Sequence, residues 1–223
     1  MANVQIRRKE SPLVHTLLVL FSVVMFVPFV WLLLTSFKQS YELFTDPWSL
    51  PSSLNLTNFV TAWSGGVRGY FFNSVIVTSV TVAAILLFSS MAGFVFARRR
   101  FVGHSLLFLT IVSGFLIPVQ VTLVPLYNMF RTLGLLDSRL GLILPYIAYG
   151  VPFSVLLLAT YFQSIPEELE QAAVIDGCSN VQIYHKIILP LGRPGLVTVL
   201  IFQGVWIWNE FLFAVTLTSG TRN

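Results

Sequence analysis

Gln120, Asn128, Tyr149, Gln203, Asn209 and Glu210 are hydrogen-bonding side chains set into otherwise apolar stretches of this chain. Amides, a phenol and neighbouring aromatic rings can hold a hydroxyl-rich solute such as a sugar. They do not by themselves make or break covalent bonds. Glu210 is the only acid well inside an apolar run, where a carboxyl is costly unless it faces protein or water. Two readings stand for each of these residues: contact with a passing solute, or a hydrogen bond between helices. Asn209 and Glu210 also fit an anchor at the membrane edge, with Trp206 and Trp208 in an aromatic belt. The residue sets of catalysis do not occur. His15, His104 and His185 lie in separate regions without companion cysteines, so no metal site is expected. There is no G-x-x-x-x-G-K-[ST] phosphate loop and no Ser/His/Asp set. Neither an enzyme nor a resident cofactor is expected. Cys178 is the single cysteine and reads as a small filler, with no intrachain disulfide available to it.

A second constellation runs from Glu167 to Leu196, EELEQAAVIDGCSNVQIYHKIILPLGRPGL. Pro166 suits a first helical turn, where its missing N–H costs nothing. Glu167, Glu168 and Glu170 follow where the helix dipole favours negative charge. This helix is expected to run through Gln171, Ala172, Ala173 and Val174 to about Asp176. Gly177 then supplies the left-handed residue that ends it. Ser179 and Gln182 form a capping box for a second helix, with Val181, Tyr184, Ile187 and Ile188 on its apolar face. Pro190 is expected to end that helix. Such a device could lie on lipid, but lipid-surface helices are normally basic on their polar face. From Glu167 to Arg193 four acids face only Lys186 and Arg193. The small residues Ala172, Ala173 and Gly177 admit close approach of another backbone, which favours docking of a protein.

The elements that position these groups are membrane spans. Apolar residues make up 56% of the 223 and charged residues 10%, with mean hydropathy +0.82. Soluble domains carry about 25% charged residues, so the fold class is an all-α polytopic membrane protein. Spans are expected at about 12–36, 70–97, 105–130, 140–162 and 194–219. The first is too long for a signal peptide and has no A-x-A cleavage site, so it reads as a retained anchor. Pro118, Pro125, Pro145 and Pro152 are expected to break or kink the third and fourth. Arg7, Arg8, Lys9, Arg98, Arg99, Arg100, Lys186 and Arg193 fall on one side, eight of the thirteen basic residues. The positive-inside rule makes that side, and the amino terminus, cytoplasmic. The basic balance follows from topology, and no nucleic acid is expected as a partner.

The 167–196 segment resembles the EAA loop of ABC importer permeases. Gln171-Ala172-Ala173, then Asp176-Gly177, then Ile187-Ile188-Leu189-Pro190 follow that motif, and the match continues through Arg193-Pro194. The motif's glutamate is Gln171 here, with Glu170 just before it, and Cys178 stands where alanine is common. Across the chain the sequence is most similar to the maltose-type carbohydrate permeases. The stretches that carry this are Pro28-Phe29-Val30-Trp31, Thr35-Ser36-Phe37-Lys38, Phe71-Phe72-Asn73-Ser74, Phe96-Ala97-Arg98, Ile117-Pro118, Pro125-Leu126-Tyr127 and Trp208-Asn209-Glu210-Phe211-Leu212. The resemblance implies a single permease domain over 1–223, with a cytoplasmic coupling loop at 164–194. Glu168, Glu170, Gln171, Ala172, Ala173, Asp176 and Gly177 would couple it to an ATPase. It also implies a second permease subunit, two ATP-binding cassette subunits and an extracytoplasmic solute-binding protein, all working in the lipid of the cell membrane. The implied function is sugar import by alternating access. A non-sugar ABC importer and an ion-coupled secondary transporter are the alternatives. The second would need intramembrane charge relays that one peripheral Glu210 does not supply. Finally, the resemblance implies six spans. Five are visible, and Thr218-Ser219-Gly220-Thr221 reads as a loop opening, so a final helix of about 20 apolar residues is expected to be missing.

Overall fold

The computed structural model describes residues 12–218. Every regular element among them is helical. The basic triplet Arg7, Arg8 and Lys9, the residue Arg222 and, of the expected loop opening, Ser219, Gly220 and Thr221 lie outside the described residues. The chain divides into two compact units, Met1–Tyr70 and Phe71–Asn223.

The first unit is built on α1 (Pro12–Ser36), whose bounds match the expected first span. Its 25 residues rise about 37 Å at 1.5 Å each, enough to cross a hydrocarbon layer of about 30 Å. The connector after it is folded around one cation. Lys38 is only 1% exposed, and its Nζ donates to the Asp46 carbonyl (2.9 Å), the Pro47 carbonyl (3.2 Å) and Ser49 Oγ (3.1 Å). An ammonium has three protons, and each finds an acceptor. Asn58 Nδ2 closes the arrangement by donating to the Ser36 and Lys38 carbonyls at 3.0 and 2.8 Å. The short helices α2 (Ser40–Thr45) and α3 (Thr57–Ala62) are held this way. A wide turn at Trp63–Val67 follows, kinked at Gly66 with φ +122°.

The second unit takes most of α4 (Arg68–Arg98), then α5 (His104–Ser113), α6 (Val119–Leu133) and α7 (Arg139–Gln163). After these come α8 (Glu167–Ile175), α9 (Asn180–Ile183), α10 (Leu189–Leu191), α11 (Arg193–Asn209) and α12 (Leu212–Thr218). Helix α7 is the centre, packed on α5, α11 and α12, with Val155, Leu158 and Phe162 fully buried. Helix α4 meets it at Gly93, where an added Cβ would lie 3.0 Å from Leu158 Cβ and 3.1 Å from Ala159 N. Small residues give helices in lipid this close approach. Where α4 enters this unit, Arg139 Nε and NH2 both donate to Asn73 Oδ1, at 3.1 and 2.9 Å.

Three expectations need correction. The third span is not one helix. It splits into His104–Leu116 and Val119–Leu133, bent by 95°. Ile117 is extended (φ −79°, ψ 115°), because the residue before a proline is pushed out of the helical region by the ring of Pro118. Pro125, Pro145 and Pro152 stay inside continuous helices, so only Pro118 breaks its span. The fifth span is also divided, at Glu210, whose ψ of 129° separates α11 from α12. The 17 residues of α11 span about 26 Å on their own. Pro190, in turn, does not end the second helix of the 167–191 device. The wide turn at Tyr184–Ile188 opens the backbone ahead of the ring, and the helix breaks at Gly192 with a bend of 71°. Among the described residues three helical stretches are long and apolar enough to cross a membrane, or five if each bent pair is one span.

Candidate functional site

Local chemistry builds the helix–turn–helix as its residues dictate. Pro166 sits one position earlier than expected, at the N-cap, and α8 starts at Glu167. At the other end Gly177 takes φ +80°, the left-handed value only glycine reaches freely. The Gly177 N–H donates to the Val174 carbonyl at 3.0 Å and the Cys178 N–H to the Ala173 carbonyl at 2.9 Å. These two bonds make a Schellman ending, which satisfies carbonyls that would otherwise be orphaned. Ser179 then opens α9 with both halves of the capping box present: its N–H donates to Gln182 Oε1 at 2.7 Å, and its Oγ accepts from the Gln182 N–H at 3.4 Å.

Buried Ala173, Ile183 and Ile188 seat this device in the core, and a pair of arginines at the end of α4 adds a charged tie. Arg99 NH2 lies 2.6 Å from Glu170 Oε1 and donates to Asn180 Oδ1 at 2.8 Å. Arg98 Nε is 3.6 Å from Glu170 Oε2, and Arg98 NH2 donates to the Ile165 carbonyl. The Arg98 side chain is 3% exposed and that of Glu170 11%. Removing one partner of a buried pair like this leaves a charge stranded and costs roughly 3–5 kcal/mol. Glu167 also approaches Arg98 at 3.8 Å, but its side chain is 76% exposed and water screens the pair. Further along α4, Ser90 Oγ and Tyr184 OH are hydrogen bonded at 2.7 Å, and the Phe94 and Tyr184 rings pack at 5.3 Å.

The remaining loop residues separate cleanly. Ala173 is buried, while Glu168, Gln171, Ala172, Asp176 and Gly177 are exposed. Gln171 therefore takes no part in the arginine joint, and its lost charge leaves that joint intact. Ile175 is 85% exposed, and Val174 and Val181 are also open. An apolar surface beside an acidic helix face suits a protein partner better than anionic lipid. The sequence marks Arg98 and Arg99 as topology charges, with Arg98 also in the Phe96-Ala97-Arg98 stretch, and does not mark Asn180. The signal available was two arginines ending a span opposite an acidic helix of opposite charge.

The polar residues of the spans have different surroundings. Gln203 is buried, and its Nε2 donates to the Gly150 carbonyl (3.2 Å) and to Ser154 Oγ (3.0 Å), tying α11 to α7. Tyr149 is half-buried with its hydroxyl bonded to Thr122 Oγ1 at 2.5 Å. Glu210 is the corner piece between α11 and α12. Tyr146 OH donates to its Oε2 at 2.7 Å, and the Phe213 N–H donates to its Oε1 at 3.0 Å. Asn209 is exposed, with Nδ2 donating to the Val205 carbonyl at 2.8 Å. Gln120 and Asn128 lie on the exposed side of α6, together with Val121, Val124 and Met129. The structure does not gather these six residues into one site.

The model of the family described as binding-protein-dependent transport system inner membrane component matches residues 85–222, which include the whole helix–turn–helix. The chain is 44% identical over 194 residues to a putative ABC transporter permease protein, ORF2, of Caldicellulosiruptor sp. (strain Rt8B.4), covering 86% of this chain and 70% of that one. It is 37% identical over 213 residues to the diacetylchitobiose uptake system permease protein NgcG of Streptomyces coelicolor, covering 95% and 70%. Among solved structures, it resembles a chain of a bacterial ABC transporter involved in the import of the acidic polysaccharide alginate. The TM-score is 0.78 at 22% identity, over 92% of this chain and 72% of that one, a likeness of fold.

Proposed function

This chain belongs to the family of binding-protein-dependent transport system inner membrane components, and from that membership we propose that it carries an oligosaccharide across the membrane by ATP-driven alternating access. It is an ABC importer permease, a membrane transport subunit and not an enzyme. The proposal makes 1–223 one permease domain and 164–194 its coupling loop. A second permease, two ATP-binding cassette subunits and a solute-binding protein complete the assembly. ATP binding closes the cassette subunits, the docked α8 and α9 move with them, and the spans tilt to expose the path to the other side.

The observation that carries this reading is the helix–turn–helix itself. It is a capped device with exposed Val174, Ile175 and Val181. It also sits against Arg98 and Arg99, so it shares a side with the basic end of α4. The positive-inside rule then makes that side cytoplasmic and puts the amino terminus there too. For the solute, the relative named for diacetylchitobiose uptake supports a sugar. Gln203 and Glu210 are engaged in joining helices, which leaves Gln120, Asn128 and Asn209 as the better candidates for the path. Amides open on α6 would be costly against lipid, so that side is expected to face water or protein.

Reconstitution tests the reading. The complex purified with its cassette subunits and binding protein should accumulate, inside vesicles, the sugar retained on that binding protein, and only with ATP supplied on the cassette side. Accumulation by the single chain under a proton or sodium gradient would replace this reading with a secondary transporter.

A further inference from the structure

Helices α8 and α9 are joined by chain to α7 and α11, but α4 reaches them only through space. We propose that Arg98, Arg99 and Glu170 are positioning residues, forming the joint through which movement of the docked helix–turn–helix is transmitted to α4. This rests on the docking reading above and adds to it a route and three residues.

Six contacts made by four residues carry the inference, and all lie toward one end of α4. Ser90 and Phe94 meet Tyr184, Arg98 meets Ile165 and Glu170, and Arg99 meets Glu170 and Asn180. Ser90, Phe94 and Arg98 are four residues apart, so they form one stripe along the helix. Apolar contacts along such a stripe can slide. Charges buried with their partners cannot slip without stranding one of them. Arg99 is the only one of these residues that holds both helices of the device, Glu170 in α8 and Asn180 in α9. Both contacts are made by one nitrogen, NH2, whose two N–H groups are fixed in the guanidinium plane, whereas a lysine ammonium turns freely about its bond and holds no such fixed pair. The two helices are thereby obliged to move against α4 as one body.

The joint is also able to turn. Arg98 Nε and Arg99 Nε are buried without a hydrogen-bond partner. Glu170 can exchange one guanidinium nitrogen for another as α8 rotates, and both cations keep a counter-charge throughout. The Arg99 guanidinium is steadied by the Phe94 ring, 5.5 Å from its centroid.

The test is solute transported per ATP hydrolysed, measured on the complete reconstituted importer for Glu170→Gln, Arg99→Gln, Arg99→Lys and the double variant Arg99→Gln/Glu170→Gln. With the joint loosened, ATP hydrolysis by assembled complexes should persist while transport per ATP falls about threefold to thirtyfold. The double variant should be no worse than the worse single one, because both remove the same link. Arg99→Lys keeps the charge and loses the fixed in-plane pair of N–H donors, and should fall between wild type and Arg99→Gln. Equal loss of transport and hydrolysis, or additive losses, would reduce the joint to a structural staple. Should Glu170→Gln fail to assemble, Arg99→Lys decides alone: an unchanged ratio overturns the proposal. A wild-type complex that binds no cassette subunit, or shows no ATP-dependent uptake, would instead refute the proposed function and not the joint in particular.

Discussion

Glu170 and Glu210 are both carboxyls at the start of a helix, and the molecule treats them in opposite ways. Glu170 meets two guanidinium groups at the end of α4. Glu210 meets no cation within ion-pair distance among the described residues. It accepts from Tyr146 OH and from the Phe213 and Ala214 N–H groups. The first arrangement sets several guanidinium donors around one carboxylate, and Arg99 Nε is buried without a hydrogen-bond partner. The second uses neutral donors of fixed direction, which set the angle between α11 and α12. Charge on charge makes a joint that can turn, and charge on directed dipoles makes a corner that holds. In the proposed mechanism the turning element lies beside the ATPase and the fixed one lies within the spans.

The largest test of this contrast compares Glu170→Ala with Glu210→Ala. Glu170→Ala takes the buried counter-charge from Arg98, 3% exposed, and should cost roughly 3–5 kcal/mol, with Arg99 at 35% exposure adding little, whereas Glu210→Ala removes a helix cap and a phenol bond and should cost about 1–2 kcal/mol. Equilibrium unfolding of the purified protein in mixed micelles measures both. Equal costs would erase the distinction between joint and corner.

Gly177 sharpens the same contrast, because it sets the angle at which Glu170 and Asn180 both reach Arg99. An added Cβ at Gly177 meets nothing within 4 Å, so the penalty of a substitution is backbone strain and not crowding. Gly177→Val should cost about 1–2 kcal/mol or more at φ +80° and uncouple transport, with the chain still inserting. Asn tolerates the left-handed region, so Gly177→Asn should retain most uptake. If both variants transported at the wild-type rate in proteoliposomes, the turn would have no part in coupling.

The parts legible in the sequence were those set by near neighbours. Gly177, Ser179 and Gln182 announced their roles because a cap is a matter of three or four residues. The parts that were not legible depend on partners far along the chain. Arg98 lies 67 residues from Ile165 and Arg99 lies 81 from Asn180, and nothing local marks them as more than basic residues at a span end. Lys38 stands in the sequence only as the end of the Thr35-Ser36-Phe37-Lys38 stretch, and only the fold shows its three acceptors. Pro118 was noticed as a kink, but it was not singled out from Pro125, Pro145 and Pro152, which α6 and α7 absorb. Glu210 was weighed as a path residue, an anchor or an interhelical contact. Its position two residues before Leu212, where α12 begins, was the available sign of a cap.

The most direct measurement of the central claim, that α8 and α9 receive the ATPase, uses the most exposed apolar residue of the turn. Ile175 is 85% exposed. In a Cys178→Ser chain carrying Ile175→Cys, the rate of maleimide labelling is compared with and without the cassette subunits assembled. The expected result is rapid labelling of the permease alone and strong protection in the complex, with a control cysteine at exposed Val102 labelled equally in both. Labelling of residue 175 at the same rate in the assembled, transport-active complex would contradict it, and the helix–turn–helix would no longer be the docking site.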